Sequence, residues 1–254
     1  MSARGLILTY HAVESGPPPL FVEPAVFEAH LQVLSDAGAV VLTLSSLARR
    51  LRDGSLPDRA VALTFDDAFA SVVSEALPRL RRRGWPATVY CVAGHLGGTN
   101  DWPTQPAAVP RRRLASADEL AELAAAGFEI GAHTLTHPPL SQLSGDALHK
   151  EVVDCQHRLE AIVGQPVRTF ACPYGDCPQG AARQLLERTY DAVCITALDT
   201  VGPAADPYAL PRVDAHYLRR PRLLGHVVRG RGFGYLAVRR AGARARRLVV
   251  SDSM

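Results

Sequence analysis

Two short segments of the 254-residue chain carry side chains that could hold a metal ion and move protons. "VALTFDDAF" at 61–69 runs an apolar stretch into Asp66 and Asp67, and "HTLTH" at 133–137 places His133 and His137 four residues apart. On the dipeptide alone, two neighbouring aspartates are typical of a solvated turn. Two imidazoles and one carboxylate, however, form an open ligand set that leaves positions for water and substrate, as hydrolytic metals require. The segments therefore predict a hydrolytic metal site in which one aspartate is a ligand and its neighbour accepts a proton from water.

The elements that must position these groups follow from seven short apolar runs that alternate with stretches of helical spacing. The runs are "GLILTY", "AVVLTL", "VALTF", "ATVYCVAG", "FEIGA", "VRTFAC" and "YDAVCITA". Apolar residues at steps of three and four predict helices over 27–34 and 148–162. Ser116 and Glu119 have the form of a capping box at another helix start. No low-complexity linker divides the chain, so the pattern indicates a single α/β domain, either barrel-like or doubly wound, with parallel strands.

Polar side chains recur just after the predicted strands. The two aspartates follow "VALTF", His11 follows "GLILTY", His133 follows "FEIGA", and Pro173 and Tyr174 follow "VRTFAC". Because the carboxyl ends of parallel strands form one functional rim, these groups are expected to converge on a single site.

The composition is that of a soluble globular protein, with 47% hydrophobic and 21% charged residues. No run approaches the roughly 20 apolar residues of a membrane span, and "MSARGLILTYH" leaves no room for a signal peptide, so we expect a cytoplasmic protein. The five cysteines show no C-x-x-C pair of the kind that binds zinc.

Three segments together resemble the successive motifs of the polysaccharide deacetylases, the NodB homology domain of carbohydrate esterase family four. They are "TFDD" at 64–67, "HTLTH" at 133–137 and "FACPYG" at 170–175, and the resemblance extends from "LTYHAV" to "YALPRV" at 208–213. The resemblance implies a distorted (β/α) barrel of seven or eight mostly parallel strands, formed by residues 1–217. It also implies a hydrolase that uses one divalent metal, zinc or alternatively cobalt or nickel, to remove an N-acetyl or other N-acyl group from an amino sugar or glycan.

The same resemblance assigns roles to individual residues. It makes Asp66 the general base and Asp67, His133 and His137 the metal ligands. Pro173 and Tyr174 would line the substrate site, where the Tyr174 N–H would bind the developing oxyanion.

The chain also departs from the commonest pattern of that family. The third motif usually starts with arginine, but position 171 is alanine, and Arg212 in "LPRV" is expected to take that place beside Asp66 and the substrate. The late Leu-x-His motif that supplies the general acid has its nearest match in "LGH", which ends at His226. We expect His11 instead, because the chain resembles the branch related to poly-N-acetylglucosamine deacetylases, in which an early "YH" motif brings this histidine to the site. An imidazole with a pKa of about 6.5 suits protonation of a leaving amine.

An arginine-rich segment, 218–254, follows the predicted barrel and is expected to be helical. Residues 219–247 hold ten arginines and no acidic residue. The spacing within 234–250 favours a basic surface helix that could contact an anionic membrane, whereas a solvated helix is the alternative. No nucleic-acid partner is expected. Two other functions remain open, a catalytically silent barrel that binds a glycan or a partner, and a deformylase or deacetylase of a lipid-linked sugar.

Overall fold

The computed structural model describes residues 4–176, 179–232 and 234–240. Strands and helices alternate along the described chain. The strands are β1 (Leu6–Tyr10), β2 (Val40–Leu42), β3 (Ala60–Phe65), β4 (Thr88–Cys91), β5 (Glu129–Ala132), β6 (Thr169–Ala171), β7 (Ala192–Cys194) and β8 (Val213–Asp214). The helices are α1 (Pro24–Asp36), α2 (Leu44–Arg52), α3 (Leu77–Arg81), α4 (Ala117–Ala125), α5 (Gly145–His149), α6 (Cys155–Val163), α7 (Gly180–Thr189) and α8 (Pro221–Val228). The seven strands predicted from apolar runs are confirmed, and β8 is an additional strand.

The strands form one parallel sheet that curls toward a barrel. Their order is β7-β6-β5-β4-β3-β1-β8, and β2 pairs with the beginning of β3. Each registered pair of strands is parallel. Cys194 of β7 also bridges Leu210, which lies just before β8, so the two ends of the sheet approach one another. The structure thus confirms the single α/β domain with a distorted barrel.

Alternate residues of each strand fill two separate apolar layers. Inside the curled sheet, Ile7, Ala62, Tyr90 and Leu210 belong to one buried cluster. On the outer face, residues such as Phe65 pack with helix residues in a second and larger cluster. Because side chains fill the interior, the polar groups that could act on a substrate are confined to the carboxyl ends of the strands.

The helical face predicted over 148–162 is confirmed, but it is formed by three pieces. A five-residue π-helical turn, Lys150–Asp154, joins α5 to α6. Leu148, Val152, Cys155 and Leu159 are buried along this face. The turn also buries Glu151, which is 8% exposed and lies beneath the "HTLTH" segment.

The beginning of the arginine-rich segment packs on the barrel. Residues 234–240 are helical, and Leu236, which is 1% exposed, joins the outer core. The Tyr235 hydroxyl donates to the Tyr217 carbonyl at 2.7 Å. The remainder of the predicted basic helix, 241–250, lies outside the described residues, and the division of the chain at residue 217 stays a prediction. Among the described helices, none has the length and hydropathy needed to cross a membrane.

Candidate metal centre

Strand β3 ends in two adjacent carboxylates that face different partners. Asp66 continues the strand and donates its N–H to the Tyr10 carbonyl at 2.9 Å. Asp67 and Ala68 instead have φ values of 67° and 55°, a left-handed conformation that L residues rarely adopt. Both carboxylates are 3% exposed. The sharp turn sends the Asp67 carboxylate toward the two histidines and leaves the Asp66 carboxylate facing Arg212.

Asp67, His133 and His137 form a triangle of buried donor atoms. The Asp67 Oδ1 lies 3.5 Å from each histidine Nε2, and the two Nε2 atoms are 3.2 Å apart. Two ligands bound tetrahedrally at about 2.0–2.2 Å from zinc are separated by about 3.3–3.6 Å. The three atoms therefore have the spacing of one face of a tetrahedral metal site.

The Nδ1 atoms of the two imidazoles have hydrogen-bond partners that leave the Nε2 lone pairs available to a metal. The His133 Nδ1 lies 2.7 Å from the Ala171 carbonyl, which can only accept, so Nδ1 carries the proton and Nε2 keeps its lone pair. The His137 Nδ1 lies 3.0 Å from the Tyr174 hydroxyl, which can accept the equivalent proton. Both imidazoles are buried, which lowers their pKa values and keeps them neutral. The arrangement suits metal ligation, since ligating histidines usually donate their other N–H to such a partner.

The buried carboxylate of Asp67 would also be stabilised by a cation. Its Oδ1 is buried, and the described residues offer it no hydrogen-bond donor. Burial and the neighbouring charge of Asp66 raise the pKa of Asp67 well above its ordinary value. A divalent cation within the triangle would remove both penalties, so the donor set fits a metal ion.

The loop between the two histidines is held in shape from inside. Thr134 and His137 have φ values of 68° and 64°, and the Thr134 hydroxyl accepts the His137 N–H at 2.9 Å. Glu151 accepts three hydrogen bonds from the same loop, from the Leu135 N–H at 2.7 Å, the Thr136 N–H at 2.9 Å and the Thr136 hydroxyl at 2.7 Å. These contacts fix the distance between the two imidazoles.

The third loop, "PYG", contributes Tyr174 through its side chain. Tyr174 has a φ of 57°, and its hydroxyl contacts both His137 and the Thr104 hydroxyl, the latter at 2.6 Å. Its side chain is 44% exposed, so it stands at the rim of the site. Gly175 follows with a φ of 68°, and a Cβ there would overlap the Thr196 side chain, so the turn requires glycine.

Trp102 covers the outer face of His137. The two rings are 4.3 Å apart at an interplanar angle of 32°, and Trp102 is 2% exposed. Its loop is anchored by a small apolar cluster that includes Phe69 and Leu114. Because Trp102 is buried, it shields a predicted metal ligand from water and does not form an exposed sugar-stacking surface.

Asp66 is paired with the arginine that the sequence proposed for it. The two guanidinium nitrogens of Arg212 donate to the two carboxylate oxygens of Asp66, each at 2.7 Å. Arg212 is 2% exposed, and its guanidinium lies 5.6 Å from the Tyr90 ring centre. Although burial alone would raise it, the charge of Arg212 holds the pKa of Asp66 well below its ordinary value. Asp66 is therefore ionised at neutral pH and can accept a proton.

The structure brings His11 to Asp66 and leaves His226 elsewhere. The His11 Nε2 lies 3.9 Å from Asp66 Oδ2, and its side chain is 17% exposed. His226 is exposed on α8, where it lines a separate surface groove with Val33 and Arg229. Burial lowers the pKa of His11 to about 4, against an attraction from Asp66 that raises it. The expected pKa of about 6.5 is therefore too high for this imidazole in its buried position.

Sequence reasoning did not find two residues that shape this site. Glu151 contacts the "HTLTH" loop, and Thr104 contacts Tyr174. One signal for Glu151 is available in the sequence, because a carboxylate lies on the apolar face of the helix predicted over 148–162. Thr104 lies in a long irregular connection, and nothing in its sequence distinguishes it from a solvated threonine.

The sequence and fold have counterparts among known proteins. A family model described as polysaccharide deacetylase matches residues 53–193. The chain is 25% identical over 208 residues to YxkH of Bacillus subtilis, an alignment that covers 82% of this chain and 70% of YxkH. It is also 25% identical over 193 residues to the poly-beta-1,6-N-acetyl-D-glucosamine N-deacetylase of Staphylococcus epidermidis. That alignment covers 74% of this chain but 65% of the relative, slightly less than two thirds of its length.

Two solved structures share the architecture. The deacetylase PplD of Streptococcus pyogenes, solved with acetate, has a TM-score of 0.71 and 26% identity, covering 84% of this chain and 93% of its own. IcaB from Ammonifex degensii has a TM-score of 0.75 and 22% identity, covering 91% of this chain and 97% of its own. The second likeness concerns the fold alone.

Proposed function

Because the chain belongs to the polysaccharide deacetylase family, we propose that it is a metal-dependent hydrolase that removes an N-acetyl group from an amino sugar of a glycan. The family and the enzyme class predicted from the sequence, a hydrolase of non-peptide carbon–nitrogen bonds, are confirmed. The observation that carries the finer proposal is the buried triangle of Asp67, His133 and His137, whose donor atoms lie 3.2–3.5 Å from one another.

Those three residues would hold the ion, and zinc suits their two imidazoles and one carboxylate. A divalent cation in this position supplies a Lewis acid for the acyl oxygen and lowers the pKa of water. The Tyr174 N–H remains our proposed donor to the oxygen that becomes negative during the reaction.

The proton transfers are assigned to Asp66 and His11. Asp66 accepts a proton from the attacking water, and Arg212 orients its carboxylate through the two hydrogen bonds of 2.7 Å. His11 delivers a proton to the leaving nitrogen. Since burial lowers its pKa to about 4, His11 is neutral before the reaction. It therefore receives from Asp66, within the site, the proton that it delivers to the leaving nitrogen. The His11 Nε2 lies 3.9 Å from Asp66 Oδ2, too far for a direct hydrogen bond, so the proton would pass between them through one bridging water.

We propose a glycan of the N-acetylglucosamine type as substrate, because the Staphylococcus epidermidis relative is named for that activity. A small or lipid-linked acylated sugar is the second candidate, favoured by the basic residues that follow the barrel. Contact of 234–250 with an anionic membrane and a cytoplasmic location stay predictions. A silent binding barrel is less well supported, since Asp66 and all three ligand residues are present.

The proposal is tested by bound metal and acetate release. We expect the purified protein to hold one divalent ion and to release acetate from N-acetylglucosamine oligomers. Replacing Asp67, His133 or His137 with alanine should remove metal and turnover together, whereas Asp66→Asn should keep the metal and lose turnover. Near-normal turnover by Asp66→Asn with metal bound would contradict the assignment of the base.

A further inference from the structure

A cavity of about 410 Å³ opens beside the proposed reacting groups. Asp66 and His11 line it, but Asp67, His133 and His137 do not. Its volume lies in the range of roughly 300–1,000 Å³ that small-molecule sites occupy, and it far exceeds the needs of a two-carbon acyl group. The cavity therefore has room for the part of the substrate to which the acyl group is attached.

Asp214 presents a second carboxylate to this cavity. Strand β8 pairs with β1 so that Asp214 lies beside Thr9, and both residues line the cavity. Val213, between Arg212 and Asp214, is buried in the outer core, so the alternation of the strand turns Arg212 and Asp214 to the barrel mouth.

Among the described residues, no cation forms an ion pair with Asp214 that it does not share with another carboxylate. Its hydrogen bond within the described residues comes from the His216 N–H, which reaches Oδ1 at 2.7 Å. Arg212 is hydrogen-bonded to Asp66, and Arg240, which also lines the cavity, forms an ion pair with Asp199. Burial raises the pKa of Asp214 to about 6, against the His216 N–H, which lowers it. Such a carboxylate is a ready acceptor for hydroxyl donors.

The remaining walls complete a surface suited to a sugar ring. Tyr217 and Leu198 add an aromatic and an aliphatic side chain, and Thr9 and Thr196 add hydroxyls. A pyranose combines hydroxyl groups at its edge with apolar C–H faces, so it matches a carboxylate beside an aromatic ring.

We propose that Asp214 determines specificity for a sugar, because its carboxylate accepts a hydrogen bond from a hydroxyl of the acylated ring held in this cavity. The inference rests on the proposed function for the identity of the substrate. It adds a specificity-determining residue that makes the enzyme prefer an acylated sugar over an acyl group on another carrier.

Binding and turnover can be measured separately. The probe is a soluble tetramer of N-acetylglucosamine, and its affinity is measured by calorimetry on metal-free protein. Turnover by metal-loaded protein is then compared for this tetramer and for an aryl acetate ester, which has no sugar. Asp214→Asn keeps an oxygen for the His216 N–H but removes the charge. The matched control is Asp191→Asn, an exposed carboxylate that precedes β7 at the opposite end of the strands.

We expect Asp214→Asn to bind the tetramer about 10- to 100-fold more weakly, the loss typical of a hydrogen bond to a charged group. Its preference for the tetramer over the ester should fall by the same factor, and Asp191→Asn should match the original protein. If the original protein binds no tetramer, or Asp214→Asn binds it equally, or both substrates lose the same factor, the inference is wrong. Asp214-dependent binding without turnover by the original protein would instead overturn the proposed function and leave the subsite standing.

Discussion

Removing the Glu151 carboxylate should lower the metal affinity of the site, although Glu151 is not one of the proposed ligands. Glu151 contacts neither imidazole, yet it accepts three hydrogen bonds of 2.7–2.9 Å from Leu135 and Thr136, within the loop that joins His133 to His137. Glu151→Ala leaves two backbone N–H groups of that loop without their acceptor, and the loop gains freedom to separate the imidazoles. Outer partners of metal ligands typically contribute about 10- to 100-fold to metal affinity, and we expect a loss in that range.

Glu151→Gln supplies the comparison. Its carbonyl oxygen can accept both N–H groups, and its amide can donate to the Thr136 hydroxyl, so affinity should return to within a few-fold of the original value. Glu160→Ala is the control, because Glu160 lies on the adjoining helix and accepts from the Val167 N–H at 3.0 Å, outside the loop.

The assay is zinc titration against a chromophoric chelator, combined with thermal unfolding of the metal-free proteins. Full zinc affinity in Glu151→Ala would refute the reasoning. An equal loss in Glu160→Ala would also refute it, because the effect would then be a general loss of helix stability.

Three further perturbations have expected outcomes. His11→Ala should lower kcat by about 10²–10⁴ with metal retained, whereas His226→Ala should change kcat little, and steady-state kinetics with metal analysis distinguishes the two. Arg212→Met leaves the Asp66 carboxylate buried without its counter-charge, which typically costs about 3–5 kcal/mol. The free energy of unfolding measured in urea at pH 7 should fall by that amount, and an unchanged unfolding midpoint would contradict the expectation. His30 is fully buried, and burial lowers its pKa to about 4, below the value of roughly 6.5 in the unfolded chain. The contribution of neutral His30 to the free energy of unfolding is therefore complete above about pH 6.5 and is lost as the pH falls toward 4. Melting temperatures should therefore fall less between pH 7 and 4.5 in His30→Gln than in the original protein, and an equal fall would show that another group controls acid stability.

Local patterns were sufficient for most of the fold. Each predicted apolar run became a strand because its residues lie between the filled barrel interior and the surrounding helices. The predicted capping box is present, with Ser116 accepting from the Glu119 N–H and the Glu119 carboxylate accepting from the Ser116 N–H. The apolar runs did not predict strand β8, because it has only two residues, Val213 and Asp214, and so no periodicity.

The candidate site was less predictable, because its geometry depends on contacts between distant segments. Asp66 and Arg212 are 146 residues apart, and their pairing was suggested by a family resemblance and not by local sequence. The φ of 68° at Thr134 runs against the preference of a β-branched residue, so no local rule indicates it. The low pKa of His11 follows from burial, which the motif around it does not reveal.

The backbone of the site has a consequence for the order in which the molecule assembles. Six non-glycine residues have positive φ among the described residues, and five of them lie in the three loops of the site: Asp67, Ala68, Thr134, His137 and Tyr174. A free peptide rarely visits these conformations, so the loops depend on the surrounding sheet and helices to maintain them. We therefore expect the ligand triangle to form only after the sheet has curled. We therefore expect a metal ion to bind after folding, and its removal should leave a folded protein that can bind it again.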